Sequence, residues 1–118
     1  MPQDKDRIRL QHMLDHATEA MQMARGRTRE DLDTDRQLNL SLVRLLEIIG
    51  EAAARVSQPT RRTHPEIAWL EIAGLRNRLV HGYDEVDFDI LWDIIQLDLP
   101  ALIAALTTIL KKRKPEQE

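Results

Sequence analysis

The chain of 118 residues contains no cysteine. Thiol catalysis, disulfide scaffolding, Cys-ligated zinc and iron–sulfur clusters are therefore excluded. Aromatic residues are nearly as scarce: one Phe, one Tyr and two Trp make up 3% of the chain. So few rings cannot build the stacking platform that grips single-stranded nucleic acid. Four glycines and five prolines are also too few for the many tight turns of a β-sandwich or barrel. No run in the sequence approaches the roughly 18 consecutive apolar residues that mark a membrane span. The charged start, MPQDKDRIRL, has no apolar stretch of the signal-peptide kind. These absences lead to the expectation of a cytoplasmic protein.

What is present is ordinary globular chemistry, 42% hydrophobic and 31% charged, at a length typical of one domain. The expected organisation is a single domain over residues 1–118 with its ordered core at about 5–112. The net charge of −3 hides an asymmetry. From Arg55 to His81 five arginines face two glutamates, whereas Gly82 to Leu99 carries six acids and no Lys or Arg. A basic stretch thus abuts an acidic one.

The periodicity is helical almost throughout. Leu10, Leu14, Ala17, Met21 and Ala24 recur at steps of four and three, which sets them on one helical face; Gly26 is the expected stop. RTREDLDTD reads as a polar connection. Leu38, Leu42, Leu45, Ile49, Ala52 and Val56 repeat the same step and predict a second helix, which Pro59 breaks. Thr63 and Glu66 have capping-box spacing around Pro65, predicting a third helix that runs to near Gly82. A fourth opens near Asp87 on Phe88, Leu91, Trp92 and Ile95, and Pro100 starts a fifth that ends in Lys111, Lys112, Arg113 and Lys114. The tail PEQE reads as a frayed end. The expected fold is all-α, an antiparallel four-helix bundle with an additional short helix. Trp69, Trp92 and the run Ile90, Leu91, Ile94, Ile95, Leu97 offer more apolar surface than one small bundle covers, which predicts a homodimer.

Of the four histidines, His12 and His16 are spaced i, i+4, a spacing able to bind metal, but no third ligand accompanies them and they read as a solvated face. His64 precedes Pro65 and reads as a cap-region residue. No cluster has convincing ligand spacing, so neither a metal nor a cofactor is expected. His81 stands in a different neighbourhood, Leu75-Arg76-Asn77-Arg78-Leu79-Val80-His81-Gly82-Tyr83. Read as helical, Asn77 and His81 stack on one face. An imidazole exchanges a proton while a guanidinium holds a phosphate, a combination suited to phosphodiester chemistry. The same residues also suit a plainer arrangement in which His81 caps a helix C-terminus and Arg76 pairs with a neighbouring carboxylate.

The stretch RNRLVHGYDEVDFDILWDIIQLDLP resembles the signature of the HepT-like family of HEPN-domain toxins. Arg76, His81 and Tyr83 fit that family's R-x-x-x-x-H-x-Y motif. Two further blocks, LEIIGEAAARVS from Leu46 to Ser57 and HPEIAWLEIAGLRNRLVHGY, keep the family's order and spacing, and the likeness spans about residues 5 to 110. The resemblance implies a HEPN-like homodimer in which motif residues of both subunits line one cleft. It implies a metal-independent endoribonuclease, with tRNA as one substrate class on offer, acting as the toxin of a HepT–MntA-type toxin–antitoxin pair. In that reading the 2′-hydroxyl attacks its adjacent phosphate, His81 is the general base or acid, Arg76 stabilises charge on the phosphate oxygens and Asn77 supports them. Arg78, Arg55, Arg61 and Arg62 are the expected RNA contacts. An MntA-like nucleotidyltransferase is the implied partner and silences the toxin by AMPylating Tyr83. The alternative is a non-catalytic helical subunit that binds a nucleotide or a nucleotidyltransferase through the same residues.

Overall fold

The computed structural model describes residues 4–83 and 85–112. Helix α1, Asp4–Ala24, buries Leu10, Met13, Ala17, Ala20 and Ala24, while Leu14 and Met21 of the expected stripe are half-buried beside them. It ends before Gly26, whose φ of 77° is the left-handed conformation that glycine takes without strain. The segment expected to be a loose connection instead forms one helical turn, α2, Asp31–Thr34. Arg27 organises it, reaching Asp31 at 3.3 Å and Asp35 at 2.6 Å. The guanidinium, with help from the Leu38 amide, holds the Asp35 carboxyl below its ordinary range. Asp35 then caps α3, Arg36–Ala54, by accepting from the Leu38 amide at 3.0 Å.

Helix α3 is the centre of the molecule. It packs on α1 and on the short helices that follow, burying Leu38, Leu42, Leu45, Leu46, Ile49, Ala52 and Ala53. Pro59 does more than break it: in the first turn of α4, Gln58–Thr63, its missing N–H costs nothing. A buried carboxylate fixes this junction to α1. Asp6 accepts from the Ser57 amide at 3.0 Å and from the Ser57 and Thr60 hydroxyls at 2.6 Å each. Burial alone would raise the Asp6 carboxyl; the hydrogen bonds from Ser57 and Thr60 outweigh it and hold the group below its ordinary range.

The expected third helix from Thr63 to Gly82 is corrected. Thr63 ends α4, and its hydroxyl donates back to the Pro59 carbonyl at 2.8 Å rather than capping a new helix. The chain then turns, with the His64 carbonyl accepting from the Ile67 amide at 3.2 Å and the Trp69 indole at 3.0 Å. Two single-turn helices follow, α5, Trp69–Ala73, and α6, Leu75–Leu79, separated at Gly74. The break lies where α5 crosses α3 very closely: a Cβ on Gly50 would stand 2.9 Å from the Ile72 carbonyl. Beyond Leu79 the β-branched Val80 is extended, at φ −108° and ψ 122°. Strand β1, Val80–His81, pairs antiparallel with β2, Glu85–Val86, in the register Val80 to Val86 and His81 to Glu85. His81 therefore sits in a hairpin, not at a helix end.

Asp87 caps α7, Phe88–Asp93, accepting from the Ile90 amide at 3.0 Å. A π-helical turn, Ile94–Asp98, joins it to α8, Leu99–Lys112, in one continuous rod. Pro100 thus starts no separate helix. The Leu99 amide bonds back to the Ile94 carbonyl, and this wider turn absorbs the missing donor and the ring of the proline. The rod also corrects the expectation about apolar runs: over Phe88–Lys111 its length and hydropathy suffice, by composition, to cross a bilayer. Its apolar residues Leu91, Ile94, Ile95, Leu99, Leu102, Leu106 and Ile109 are buried in the core.

Among the described residues the architecture is all-α apart from the two-stranded hairpin, with the third long helix of the expected bundle divided. Two long helices and the rod carry the core, and α5 and α6 stand where that helix was expected. The apolar argument for a dimer changes too. Trp69, Leu91, Ile94 and Ile95 lie in the core, and of that group only Leu97, 70% exposed, is largely outside it. Arg113, Lys114 and the PEQE tail lie outside the described residues.

Candidate active site

The hairpin turns the motif outward. Gly82, at φ 77°, supplies the left-handed residue of the reversal, and Tyr83 follows it at 99% exposure. The α6 helix sends Arg76 toward the same side, so Arg76, His81 and Tyr83 share one open cleft of about 590 Å³ between α3 and the hairpin. The side chains of Arg76 and His81 are 64% and 56% exposed, accessible to a large substrate.

Each carries an acid at its back. Arg76 Nε lies 3.5 Å from Glu47 Oε2 on α3, and the other oxygen of Glu47 accepts from Arg44 at 3.4 Å. The Nε2 of His81 faces Asp87 Oδ2 at 4.0 Å, while the other oxygen of Asp87 is fixed by the α7 cap. The arrangement presents a guanidinium and an imidazole to one opening, each with a carboxylate behind it. A guanidinium there can hold a phosphate, and an imidazole at the same opening can move a proton. Among the described residues no group of three or more His, Asp or Glu side chains is placed to hold a metal ion.

The other expected site residues are dispersed. Asn77 does not stack on His81, because α6 ends at Leu79; it lines a neighbouring groove with Arg76, Glu47 and Gly50. Arg78 points to a different face, beside an apolar groove, and approaches Asp98 at 3.6 Å. Arg61 folds back on the end of α3, donating to the carbonyls of Ala53, Ala54 and Val56 at 3.2, 2.7 and 3.0 Å. It is a helix cap. Arg55 and Arg62 are exposed outside the cleft. His12 and His16 lie on α1, where His16 Nδ1 stands 2.7 Å from the His12 carbonyl.

Sequence reasoning missed Glu47, Asp87 and Arg36, all of which line the cleft. Glu47 lies inside the LEIIGEAAARVS block, and Asp87 was visible only as a helix start. Arg36, Leu40, Val43 and Glu47 step by four, three and four, a second stripe on α3 that was legible beside the core stripe.

A family model described as ribonuclease HepT-like matches residues 13–109. The chain is 38% identical over 93 residues to "Probable ribonuclease HepT" of Thermococcus cleftensis, covering 75% of this chain and 84% of that one. It is 36% identical over 105 residues to a protein of Caldanaerobacter subterraneus subsp. tengcongensis named as a candidate RNase, with 89% and 94% of the two chains covered. A similarly named protein of Methanocaldococcus jannaschii is 30% identical over 93 residues, covering 79% and 85%. No solved structure gives a significant match.

Proposed function

The chain belongs to the HepT-like ribonuclease family, and from that premise we propose that it is a metal-independent endoribonuclease whose cleavage is carried out by Arg76 and His81. The observation that carries the proposal is the single open cleft holding Arg76, His81 and Tyr83. His81 takes the proton of a ribose 2′-hydroxyl as that oxygen bonds to the adjacent phosphorus. The bond from phosphorus to the 5′-oxygen breaks, and a proton goes to the departing oxygen. Arg76, steadied by Glu47, neutralises charge on the non-bridging oxygens. Asn77 supports this through the Arg76 side of the site. The RNA is drawn from a class that includes tRNA.

One imidazole is a thin acid–base inventory for a reaction that needs a base and an acid at once. A homodimer with two clefts facing across a two-fold axis supplies two, and the openness of the cleft supports that assembly. The biological setting that fits is a cytoplasmic toxin–antitoxin pair with an MntA-like nucleotidyltransferase. The near-complete exposure of Tyr83 supports AMPylation there. The phenol oxygen would bond to the α-phosphorus of ATP, pyrophosphate would leave and the phenolic proton would pass to solvent. The added phosphate and adenosine would fill the cleft and repel RNA.

The test is induced expression of wild type beside His81→Ala and Arg76→Ala, with cleavage of total RNA measured on the purified proteins. Growth arrest and cleavage by wild type alone are expected. Full cleavage by a folded His81→Ala overturns the assignment.

A further inference from the structure

The far end of the second α3 stripe is unexplained by stability. Arg36 is the first residue of α3, where a cation opposes the positive end of the helix dipole. Leu40, one turn on, is 51% exposed, with Val43 half-buried after it. Nevertheless Arg36 is held in place. It donates to Asn39 Oδ1 at 3.3 Å, and the buried Asn39 is anchored by donating to the Leu32 carbonyl at 2.9 Å. The facing wall is fixed as well: Arg29 binds Asp89 at 2.6 Å and sits 5.9 Å over the Phe88 ring, tying the loop before α2 to the first turn of α7. A guanidinium in an unfavourable place for its helix is thus steadied by a buried amide, with an apolar shelf between it and the Arg76–His81 pair.

We propose that this stripe is a second RNA subsite. Resting on the ribonuclease reading, it deepens it: Arg36 holds a backbone phosphate farther along the strand than the one that is cut, and the nucleosides between them lie on Leu40, Val43 and Phe88. Arg36 and Glu47 are eleven residues apart, about 16 Å along the helix axis, and Glu47 stands behind Arg76. The two arginines are therefore anchored to serve different phosphates. Asn39 commits its amide to Leu32 and Arg36 and does not read a base edge. The subsite fixes strand position and takes any base. Its ligand is a single-stranded RNA segment with at least two phosphates, not a mononucleotide.

The test compares an RNA dinucleotide, which has one phosphodiester, with a longer single-stranded RNA oligonucleotide, using wild type, Arg36→Gln, Arg36→Lys and His81→Ala. Arg36→Gln should lower kcat/KM on the oligonucleotide about tenfold and on the dinucleotide by a smaller factor. Arg36→Lys should recover part of the loss. The slope of log kcat/KM against log salt should become shallower by about 0.7 for the single lost phosphate contact. Thermal melting confirms the fold, and Arg36→Gln should melt no lower than wild type because the dipole conflict is relieved. A loss of equal factor on both RNAs, or no loss on either, overturns the subsite. Cleavage of both RNAs by folded His81→Ala overturns the catalytic reading beneath it instead.

Discussion

Glu47 Oε2 stands 3.5 Å from Arg76 Nε, so the arginine of the motif is steadied from a helix that lies about thirty residues earlier in the chain. Glu47 is mostly sheltered by its neighbours, whereas Arg76 extends into the opening.

Replacing Glu47 by Gln should therefore act on the reaction rather than on the fold. A half-exposed ion pair contributes little to stability, under about 1 kcal/mol. The freed guanidinium should lower kcat about tenfold, while KM holds or falls because one negative charge leaves the cleft. Steady-state kinetics beside thermal melting check this. A rise in KM at constant kcat would contradict the positioning role.

The close crossing at Gly50 sets where α6 begins and hence where Arg76 points. Gly50→Ala puts a methyl 2.9 Å from the Ile72 carbonyl, and backbone cannot step aside as a flexible side chain can. The expected cost is about 1–3 kcal/mol, read as a lowered midpoint in urea, with activity falling further than the stability loss alone explains.

Acid should loosen the α1–α4 junction. The Asp6 carboxyl is depressed below its unfolded value near 3.8, so the folded state binds its proton less readily. The stabilisation is fully present above the unfolded value and is lost as pH falls through the folded one. Melting temperature should drop as pH falls below about 4. Asp6→Asn should flatten that slope and lower stability at neutral pH by about 2 kcal/mol. An unchanged slope would remove Asp6 as its source.

Cleavage should persist in excess EDTA. Loss of activity on chelation, restored by magnesium or manganese, would instead make the acids beside the hairpin, Glu85 and Asp87, ligand candidates.

The sequence made the long helices legible because their apolar steps are regular and their starts carry aspartate: the stripe from Leu38 to Ala52 and the start at Asp87 stand as read. It concealed the 63–82 region because Leu75 and Leu79 keep helical spacing across a segment that tertiary contact divides. Gly74 breaks the helix where the crossing at Gly50 demands it, and that crossing involves residues far apart in sequence. The valines flanking the Gly82 turn were a hairpin signal overridden by the apparent helical period. Motif residues Arg76, His81 and Tyr83 do gather in one cleft. Arg61 and Arg78 show what charge counting does not resolve: one donates to helix carbonyls and the other faces Asp98, both away from the cleft.

The π turn at Ile94–Asp98 gives the rod an uneven tolerance to length change. A π turn is geometrically an α-helix with one residue added. Deleting a residue there, with Pro100 replaced because the wide turn is what accommodates its ring, returns the rod to regular helix, and the flanking stripes on α7 and α8 keep their facing directions. Deleting a residue after Pro100 turns every later side chain by about 100° and carries Leu106 and Ile109 off the core. Natural variation in chain length within this rod should therefore concentrate in that one turn, and an engineer shortening the protein should cut there.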